Sequence, residues 1–268
     1  MDVSVILVSY NTLDLTRNCL KSLYEKTNGV NFEIFVVDNN SKDGSPEMVE
    51  REFPDVKLIR NSENKGFGAA NNIAIKNSNA KYVFCLNTDT LLTGNSIKQF
   101  FDYMEQNPDV GAAGGQLTDV DGNFVSSVGI FAGTKRLLFS LFGLRYIFPR
   151  YYKKKFALVK AVNYEKITEV DSISGANLFL RKSLIDKIGA FDEQFFMYFE
   201  ETDLCYRIHK AGYKVMFLPE SKIIHLEGKS FSPLKMRYHR SSMLRYYKKN
   251  VGYLPYLILR FLFFVKPL

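Results

Sequence analysis

Cysteine is scarce in this chain of 268 residues: Cys19, Cys85 and Cys205 are the only three, and they lie far apart. None belongs to a CxxC pair, so the sequence predicts neither a disulfide framework nor a structural zinc site. This cysteine usage fits a reducing compartment best. We therefore expect a cytoplasmic location.

Long apolar segments are missing as well. A membrane-spanning helix needs about 20 consecutive, mostly apolar residues. The best candidate, residues 251–265, is shorter and contains Pro255 and Arg260. No basic leader with a long apolar segment precedes the first predicted strand, so we also expect no secretory signal.

The formal net charge of +8 is concentrated in two segments. Residues 133–166 contain nine Lys/Arg and one Glu, and residues 229–268 contain nine Lys/Arg and no acidic residue. The rest of the chain is therefore acidic. Charge alone is compatible with nucleic-acid binding, but Phe, Leu, Ile and Tyr are interspersed with these cations. That pattern favours an anionic membrane surface as a partner, and we expect no nucleic acid.

Apolar runs alternate with helical segments over the first third of the chain. The runs cover residues 3–8, 32–37, 56–59 and 82–86, and the last contains no charged residue. The alternation βαβαβαβ predicts an α/β fold with a parallel sheet and right-handed crossovers. In such a sheet the run at 82–86 is buried on both faces.

Acidic residues follow the second and the fourth of these runs. Asp38 begins a polar, turn-rich loop, and Asp89 follows the fourth run in the same way. Ligands of open α/β sheets bind outside the carboxyl ends of the strands, so we expect Asp89 to face a ligand crevice. The alternative is that Asp89 only shapes a turn or caps the helix that begins near Gly94.

A glycine-rich loop, Gly66-Phe67-Gly68-Ala69-Ala70-Asn71, follows the third run. It resembles the dinucleotide fingerprint, but it ends in Asn71 and does not follow the first strand, so a nicotinamide or flavin enzyme is not expected. Glycines at a helix start could let backbone N–H groups approach a phosphate or sugar. A simple tight turn is the alternative.

Three acidic residues, Glu200, Glu201 and Asp203, open a helix directly after an aromatic run. Acidic residues favour helix N-termini, so helix capping is one explanation. An aromatic environment can also raise the pKa of a carboxyl group towards the working range of a general base. His225 follows a later strand, and a structural role for it is the alternative to ligand binding.

Six short motifs, in this order, resemble the inverting family 2 glycosyltransferases of the GT-A fold, in particular the bacterial rhamnosyltransferase-like branch. Together they span about residues 3–230. They are Val8-Ser9-Tyr10-Asn11, Val37-Asp38-Asn39-Asn40-Ser41, Asn64-Lys65-Gly66-Phe67-Gly68, Leu86-Asn87-Thr88-Asp89, Gly189-Ala190-Phe191-Asp192-Glu193 and Phe199-Glu200-Glu201-Thr202-Asp203-Leu204.

The resemblance implies a Rossmann-like, mostly parallel central sheet with helices on both faces and a nucleotide-sugar site. Asp38 would hydrogen-bond a pyrimidine ring, and Asn64 and Lys65 would lie near the base and ribose. Asp89 would be the acid of a DXD-type motif and, with His225, would hold Mg²⁺ or Mn²⁺ on the diphosphate. The full set of implied binding residues is Ser9, Tyr10, Asn11, Asp38, Asn64, Lys65, Gly66, Thr88 and Asp89.

The resemblance also implies a catalytic base. Glu201 matches the second acid of the family's Glu-Asp motif, which deprotonates the acceptor hydroxyl so that it attacks and inverts the anomeric carbon. Glutamate stands here in place of the usual aspartate, and Asp203 is the competing base. Glu200 would orient its neighbours. A single acid in Asn87-Thr88-Asp89, where the family often has two, predicts modest metal affinity.

From these features we expect an enzyme that transfers a sugar, with rhamnose as the expected case. The donor would be a dTDP- or UDP-sugar, and the acceptor a cell-surface glycan or a polyprenyl-diphosphate-linked glycan. The rival interpretation is a catalytically inactive nucleotide-sugar-binding or scaffold subunit of a glycan assembly complex. Nucleotidyl transfer is disfavoured because no glycine-rich basic loop follows the first strand.

We expect residues 1–230 to form the GT-A domain, with residues 133–166 as a flexible basic flap or insertion. Residues 231–268 are expected to form a basic, apolar helical tail. The tail is either an interfacial anchor on the inner face of the cell membrane or a helical hairpin packed on the domain or on a second subunit. A homo-oligomer is compatible with the second alternative.

Overall fold

The computed structural model describes residues 1–134, 137, 139, 144–150, 164–226 and 233–265. The strands are β1 (Val3–Ser9), β2 (Phe32–Asp38), β3 (Lys57–Arg60), β4 (Tyr82–Asn87), β5 (Thr90–Leu92), β6 (Val110–Thr118), β7 (Val128–Gly129), β8 (Thr168–Glu169), β9 (Ser172–Ile173), β10 (Asn177–Arg181) and β11 (Lys214–His225). The helices are α1 (Leu13–Lys26), α2 (Ser45–Glu52), α3 (Phe67–Asn77), α4 (Ser96–Gln106), α5 (Leu144–Ile147), α6 (Lys182–Ile188), α7 (Glu200–Lys210), α8 (Pro233–Tyr246), a π-helical turn (Tyr247–Val251) and α9 (Tyr253–Val265).

The central sheet has the strand order β3-β2-β1-β4-β10-β6-β11-β5, and β8 pairs with β11 beside it. The first four strands are parallel, as the βα alternation predicts. Strand β10 lies antiparallel between β4 and β6, while β6 and β11 are parallel. The predicted α/β architecture is confirmed, with antiparallel strands in its second half.

The register of the strands places several strand ends at one edge of the sheet. Ser9, the last residue of β1, lies opposite Asp38, the last residue of β2. Val8 lies opposite Asn87, the last residue of β4. Because β10 runs the other way, its start reaches the same edge, where the Asn87 N–H donates to the Ala176 carbonyl at 3.1 Å. This edge is where a ligand site is expected.

Helices cover both faces of the sheet, and β4 separates two hydrophobic cores. Tyr82, Phe84 and Leu86 belong to the core beneath α1, α2 and α4. Val83 and Cys85 belong to the core beneath α3, α6 and α7. All five side chains are buried, which confirms that the run at 82–86 packs on both faces.

Two smaller expectations have different outcomes. A helix was expected from about Gly94 to Gln106, and α4 occupies most of that range. The Asp121-Gly122 pair in the sequence also predicts the turn of a hairpin. The chain turns there, and the described antiparallel pairing is limited to a bridge between Thr118 and Phe124, beside which the Asp119 carboxylate accepts the Asn123 N–H at 2.8 Å. Most of the predicted flap at 133–166 lies outside the described residues.

The C-terminal tail packs on the domain. Tyr246, Tyr247 and Leu259 form a third hydrophobic cluster with Phe195 from the segment before α7. This is one of the two arrangements expected from the sequence, and it leaves part of α9 exposed. Within the described residues, no helix is long and apolar enough to cross a membrane.

The glycine loop before α3 serves a close contact inside the domain. Gly66 has φ +82°, and a Cβ added there would lie 2.3 Å from the Phe196 carbonyl oxygen. The Phe67 N–H donates to that same oxygen at 3.0 Å. A Cβ on Gly68 would lie 3.1 Å from the Phe191 Cβ. The glycines therefore let the start of α3 approach the segment that leads into α7.

We expect Gly66→Ala to destabilise the protein by more than Gly122→Ala. Gly122 has φ +80° and no atom within 4 Å of an added Cβ, so it is a control for positive φ alone. Gly66 combines φ +82° with ψ 178°, a region almost restricted to glycine, so its backbone strain is on the order of 1–3 kcal/mol. Only Gly66→Ala adds a collision with backbone, worth roughly 1–3 kcal/mol more. Urea titration measures both free energies of unfolding, and equal losses would contradict the close contact.

Candidate active site

The loops after β1 and β2 are joined by reciprocal hydrogen bonds. The Asn11 N–H donates to Ser41 Oγ at 2.9 Å, and the Lys42 N–H donates to Asn11 Oδ1 at 2.7 Å. Asn11 and Asn40 both have positive φ, of 54° and 67°. Asparagine tolerates this conformation better than most residues. The predicted residue Asn11 thus fixes the two loops against each other at the ligand edge.

Asp38 is buried at the end of β2 and keeps one acceptor available. One carboxylate oxygen accepts the Ser41 N–H at 2.9 Å. The other oxygen is buried and has no hydrogen-bond partner among the described residues. A buried acceptor without a partner is uncommon in folded proteins. Its position fits a hydrogen bond to a ligand N–H group.

Asn39, which was not among the predicted binding residues, connects the β2 loop to the glycine loop. Its amide nitrogen donates to the Gly66 carbonyl at 3.2 Å, and its amide oxygen accepts from Asn61 at 2.8 Å. Asn64 accepts the Gly66 N–H at 2.9 Å, and the Lys65 ammonium lies 3.3 Å from the Glu63 carboxylate. Asn64 and Gly66 therefore shape this wall of the site. The sequence feature that could have identified Asn39 is its place in the Asp38-Asn39-Asn40 motif.

The side chains of Ser9 and Thr88 point into the protein. Ser9 is fully buried, with its hydroxyl 3.1 Å from that of Thr12. The Thr88 hydroxyl donates to the same Thr12 oxygen at 3.3 Å. The expectation that both side chains bind the nucleotide does not fit this arrangement, since they form a hydroxyl cluster beneath the edge. Tyr10, in contrast, is half exposed.

Asp89 and His225, the two predicted metal ligands, lie side by side. His225 is opposite Thr90 in the antiparallel pairing of β11 with β5, and Asp89 directly precedes β5. His225 Nε2 lies 3.2 Å from Asp89 Oδ1. The Asp89 carbonyl also accepts the Leu226 N–H at 2.8 Å. The described residues contain no group of three or more His, Cys, Asp or Glu that could hold a metal.

The acidic segment begins with an unusual backbone conformation. Tyr198 and Phe199, directly before α7, have φ of 70° and 68°. Bulky residues rarely adopt the left-handed region, and such conformations cost on the order of 1–3 kcal/mol each. They persist only where surrounding contacts enforce them. The chain therefore turns sharply just before it presents Glu200 and Glu201.

Burial raises the pKa of both glutamates at the start of α7. For Glu200, burial is the main cause, and the nearby charge of Glu201 raises its pKa further, to well above the usual range. One oxygen of Glu200 has no hydrogen-bond partner among the described residues. For Glu201, burial raises the pKa, while N–H donors and the Thr202 hydroxyl at 3.1 Å partly oppose that rise. Both shifts oppose two adjacent charges, and Glu200 is the more deeply buried of the two side chains.

Both glutamates lie close to the ligand edge. A Cβ added to Gly175, just before β10, would lie 3.7 Å from the Glu201 Cβ. One added to Gly68 would lie 3.6 Å from the Glu200 Cβ. The start of β10 lies at the same sheet edge as the end of β4. Because Gly175 directly precedes this start, Glu201 lies near the edge that also carries Asp89.

Asp203 has no oxygen left for catalysis. It is fully buried, and its carboxylate accepts hydrogen bonds from Arg207 at 2.9 Å and Asn250 at 2.8 Å. The Lys249 ammonium lies 2.9 Å from it. The expectation of Asp203 as a competing base is not supported by this geometry, because a base needs an accessible, unoccupied oxygen. Glu201 remains the candidate.

Comparisons with known proteins identify the family of this chain. A family model described as glycosyl transferase family 2 matches residues 4–187. An N-acetylglucosaminyl-diphospho-decaprenol L-rhamnosyltransferase of Mycobacterium tuberculosis is 27% identical over 214 residues, covering 74% of this chain and 67% of that one. Rhamnosyltransferase WbbL of Escherichia coli strain K12 is 25% identical over 262 residues, covering 91% and 92% of the two chains.

Solved glycosyltransferases share the fold. A mannosyltransferase of Pyrobaculum calidifontis in complex with GDP-Man and Mn²⁺ has a TM-score of 0.64 at 19% identity, covering 96% of this chain and 68% of that one. GalNAc-T7 with UDP, GalNAc and Mn²⁺ has a TM-score of 0.64 at 15% identity, covering 92% and 48%. At these identities the likeness shows the fold alone. The family model, however, matches more than half of the chain, so this protein belongs to glycosyl transferase family 2 and is a GT-A glycosyltransferase with rhamnosyltransferase relatives.

Proposed function

We propose that this enzyme transfers a sugar, with inversion, from a pyrimidine nucleoside diphosphate donor to a glycan or lipid-linked acceptor. One observation carries the proposal. Asp38, the Asp89–His225 pair and Glu201 belong to segments that meet at one edge of the sheet. Each offers the chemistry that one part of the reaction needs.

Asp38 is the proposed contact for the donor base. Its second oxygen is buried and has no partner among the described residues. A pyrimidine ring N–H donated to that oxygen would satisfy it, whereas a ligand without such a donor would leave it unpaired, at a cost of about 1–3 kcal/mol. Asn11, held by Ser41 and Lys42, closes the loop beside it.

Asp89 and His225 are the proposed holders of a divalent cation. One carboxylate oxygen and one imidazole nitrogen form an incomplete donor set, which suits an ion that takes its other ligands from phosphate and water. When bound, such an ion neutralises charge on the leaving diphosphate. The Asp89 side chain is 27% exposed and that of His225 is 7% exposed, so the carboxylate is the more accessible of the two.

Glu201 is the proposed general base. Its carboxylate takes the proton of an acceptor hydroxyl, and the oxygen forms a bond to the anomeric carbon of the donor sugar. The bond from that carbon to the diphosphate breaks on the opposite face, so the configuration inverts and the nucleoside diphosphate leaves. Glu200, whose pKa is raised well above the usual range by burial and by Glu201, is the neighbour that keeps its proton.

The relatives guide the choice of sugar and acceptor. The mycobacterial relative is named as an L-rhamnosyltransferase acting on N-acetylglucosaminyl-diphospho-decaprenol, and WbbL is named as a rhamnosyltransferase. We therefore place rhamnose, from a dTDP donor, first among the donor sugars and a UDP-sugar second. A glycan on a polyprenyl diphosphate comes first among the acceptors.

The outer face of α9 is the proposed contact with the membrane. Apolar side chains recur there at helical spacing and are exposed, with Phe261 at 65% and Phe264 at 84%. Arg260, which directly precedes Phe261 on α9, is exposed, and so is Arg237 on α8. The tail from residue 229 onward has no acidic residue, so it complements an anionic lipid surface. This surface would be the inner face of the cell membrane. The exposed apolar residues are Tyr253, Leu254, Leu257, Phe261, Phe264 and Val265.

Binding of nucleoside diphosphates tests the donor site. We expect dTDP or UDP, with Mn²⁺ or Mg²⁺, to raise the melting temperature, and GDP to have a weaker effect. A ligand at a hundredfold excess over its Kd stabilises the folded state by about 2.7 kcal/mol. Asp38→Asn should weaken pyrimidine binding, and Asp89→Asn should reduce the effect of the metal. No response to any nucleotide would favour the inactive scaffold alternative.

Glu201→Gln tests the base. We expect kcat to fall by about 10²–10⁴-fold, the usual contribution of a general base, with donor affinity nearly unchanged. Glu220→Gln, at an exposed glutamate, is the control. Because burial raises the pKa of Glu201, the active carboxylate should be lost, on lowering the pH, above the usual glutamate value of 4.5. A pH profile of kcat measures this, and an acid limb at or below 4.5 contradicts the assignment.

Phe264→Ser tests the membrane face. Losing one inserted aromatic side chain costs roughly 1.5–3 kcal/mol, so vesicle binding should weaken by about tenfold or more. Flotation with phosphatidylglycerol vesicles measures the bound fraction, and neutral phosphatidylcholine vesicles should bind less. Phe124→Ser is the control, since Phe124 is 69% exposed and lies between β6 and β7 rather than on α9. Equal binding of the two variants would remove α9 as the contact.

A further inference from the structure

The tail contacts the chain segment that leads into the catalytic helix. The Ser242 hydroxyl on α8 donates to the Met197 carbonyl at 2.7 Å. The ring of Phe199 lies 5.5 Å from that of Tyr246, measured between centroids. The ring of Phe196 likewise lies 4.6 Å from that of Tyr238. Three contacts from α8 therefore fall on residues 196–199, directly before Glu200 and Glu201.

The π-helical turn after α8 extends these contacts into α7 itself. Lys249 lies 2.9 Å from the Asp203 carboxylate, and Asn250 donates to the same carboxylate at 2.8 Å. Lys249 also lies 2.7 Å from Asp192, which precedes the aromatic segment. Single π turns inside helical segments are rare and are often found at functional sites. Here the wider turn carries two of the donors that reach Asp203.

Arg207, the third donor to Asp203, is divided among several acceptors. Besides Asp203 it donates to the carbonyls of Ile188 and Gly189, at 3.0 and 2.6 Å. Asp203 is fully buried. Without Lys249, the Arg207 guanidinium would be the only described cation that pairs with the Asp203 carboxylate. Arg207 belongs to α7 itself, so Lys249 is the described cation that joins the Asp203 carboxylate to a different element of the fold.

We propose that Lys249 and Asn250 are positioning residues for the catalytic base. Lys249 forms an ion pair with the Asp203 carboxylate, and Asn250 donates a hydrogen bond to it. These contacts fix the first turn of α7, and that turn also carries Glu201. The inference rests on the proposed role of Glu201. The tail is then a part of the catalytic unit as well as the proposed membrane contact.

The strained backbone before α7 explains why such a clamp is needed. Tyr198 and Phe199 both hold positive φ, a conformation that relaxes unless its surroundings enforce it. The Phe199 carbonyl accepts the Asp203 N–H at 2.8 Å, so the strained residue and the clamped residue belong to the same helical turn. A displacement of about 1 Å at a reacting group can cost on the order of a hundredfold in rate.

Lys249→Met is the test, and Lys248→Met is its control. Both remove one positive charge from the same turn, but Lys248 is exposed and lies 5.8 Å from the Tyr256 ring, away from Asp203. In detergent-free solution with a water-soluble acceptor, we expect Lys249→Met to lower kcat by about tenfold or more, with the donor KM changed by less than twofold. Lys248→Met should leave both constants nearly unchanged. Lys249→Arg, which keeps the charge, should recover part of kcat.

Hydrogen exchange of the folded protein gives a readout that does not depend on activity. A peptide covering residues 196–205 should exchange faster in Lys249→Met than in Lys248→Met, at equal binding of the nucleoside diphosphate. Equal exchange and equal kcat in the two variants would overturn the clamp. If the wild-type chain transfers no sugar from any donor, the proposed function fails, and the exchange comparison still decides whether the tail holds α7.

Discussion

The proposed active site depends on the placement of two adjacent carboxyl groups at the start of α7, where Glu200 is buried and Glu201 is partly buried. A buried carboxylate is unfavourable unless it is paired or keeps its proton. Burial and the charge of Glu201 raise the pKa of Glu200 well above its usual range, so one of the two can stay neutral. The next acid, Asp203, is instead charge-paired on both oxygens. Three neighbouring acids thus have three different environments, and among the described contacts only Glu201 is both outside an ion pair and partly exposed.

The parallel half of the fold follows from the sequence because its information is local. Apolar runs of strand length, separated by helical segments, define β1 to β4, and the carboxyl ends of parallel strands share one edge. Asp38 and Asp89 could therefore be placed near each other from the sequence. The contact of Asp89 with His225 depends instead on the antiparallel pairing of β5 with β11. No periodicity in the sequence encodes that pairing, and it was the resemblance to a family that linked the two residues.

The parts that sequence reasoning missed concern the direction of side chains and partners from distant elements. Ser9 sits at the correct strand end, yet its hydroxyl turns inward to Thr12. Gly66 sits in the correct loop, but the space that it leaves is filled by the Phe196 carbonyl. Asp203 resembles Glu201 in sequence, and what distinguishes them is the pairing with Lys249, far along the chain. Spacing identifies which residues begin a helix, whereas burial and pairing decide which of them can react.

Packing of the tail against α7 also bears on how a lipid-linked acceptor could be reached. In a glycan linked to a polyprenyl diphosphate, the first sugars lie only a few bonds from the lipid phosphate, so the base must work close to the membrane surface. A loosely tethered anchor would leave that distance undefined. Here Leu259 packs into the cluster with Phe195 and Tyr246, while Phe261 and Phe264 on the same helix remain exposed. The inner face of α9 belongs to the cluster that supports α7. The distance between the proposed membrane contact and the proposed base is therefore fixed by this packing.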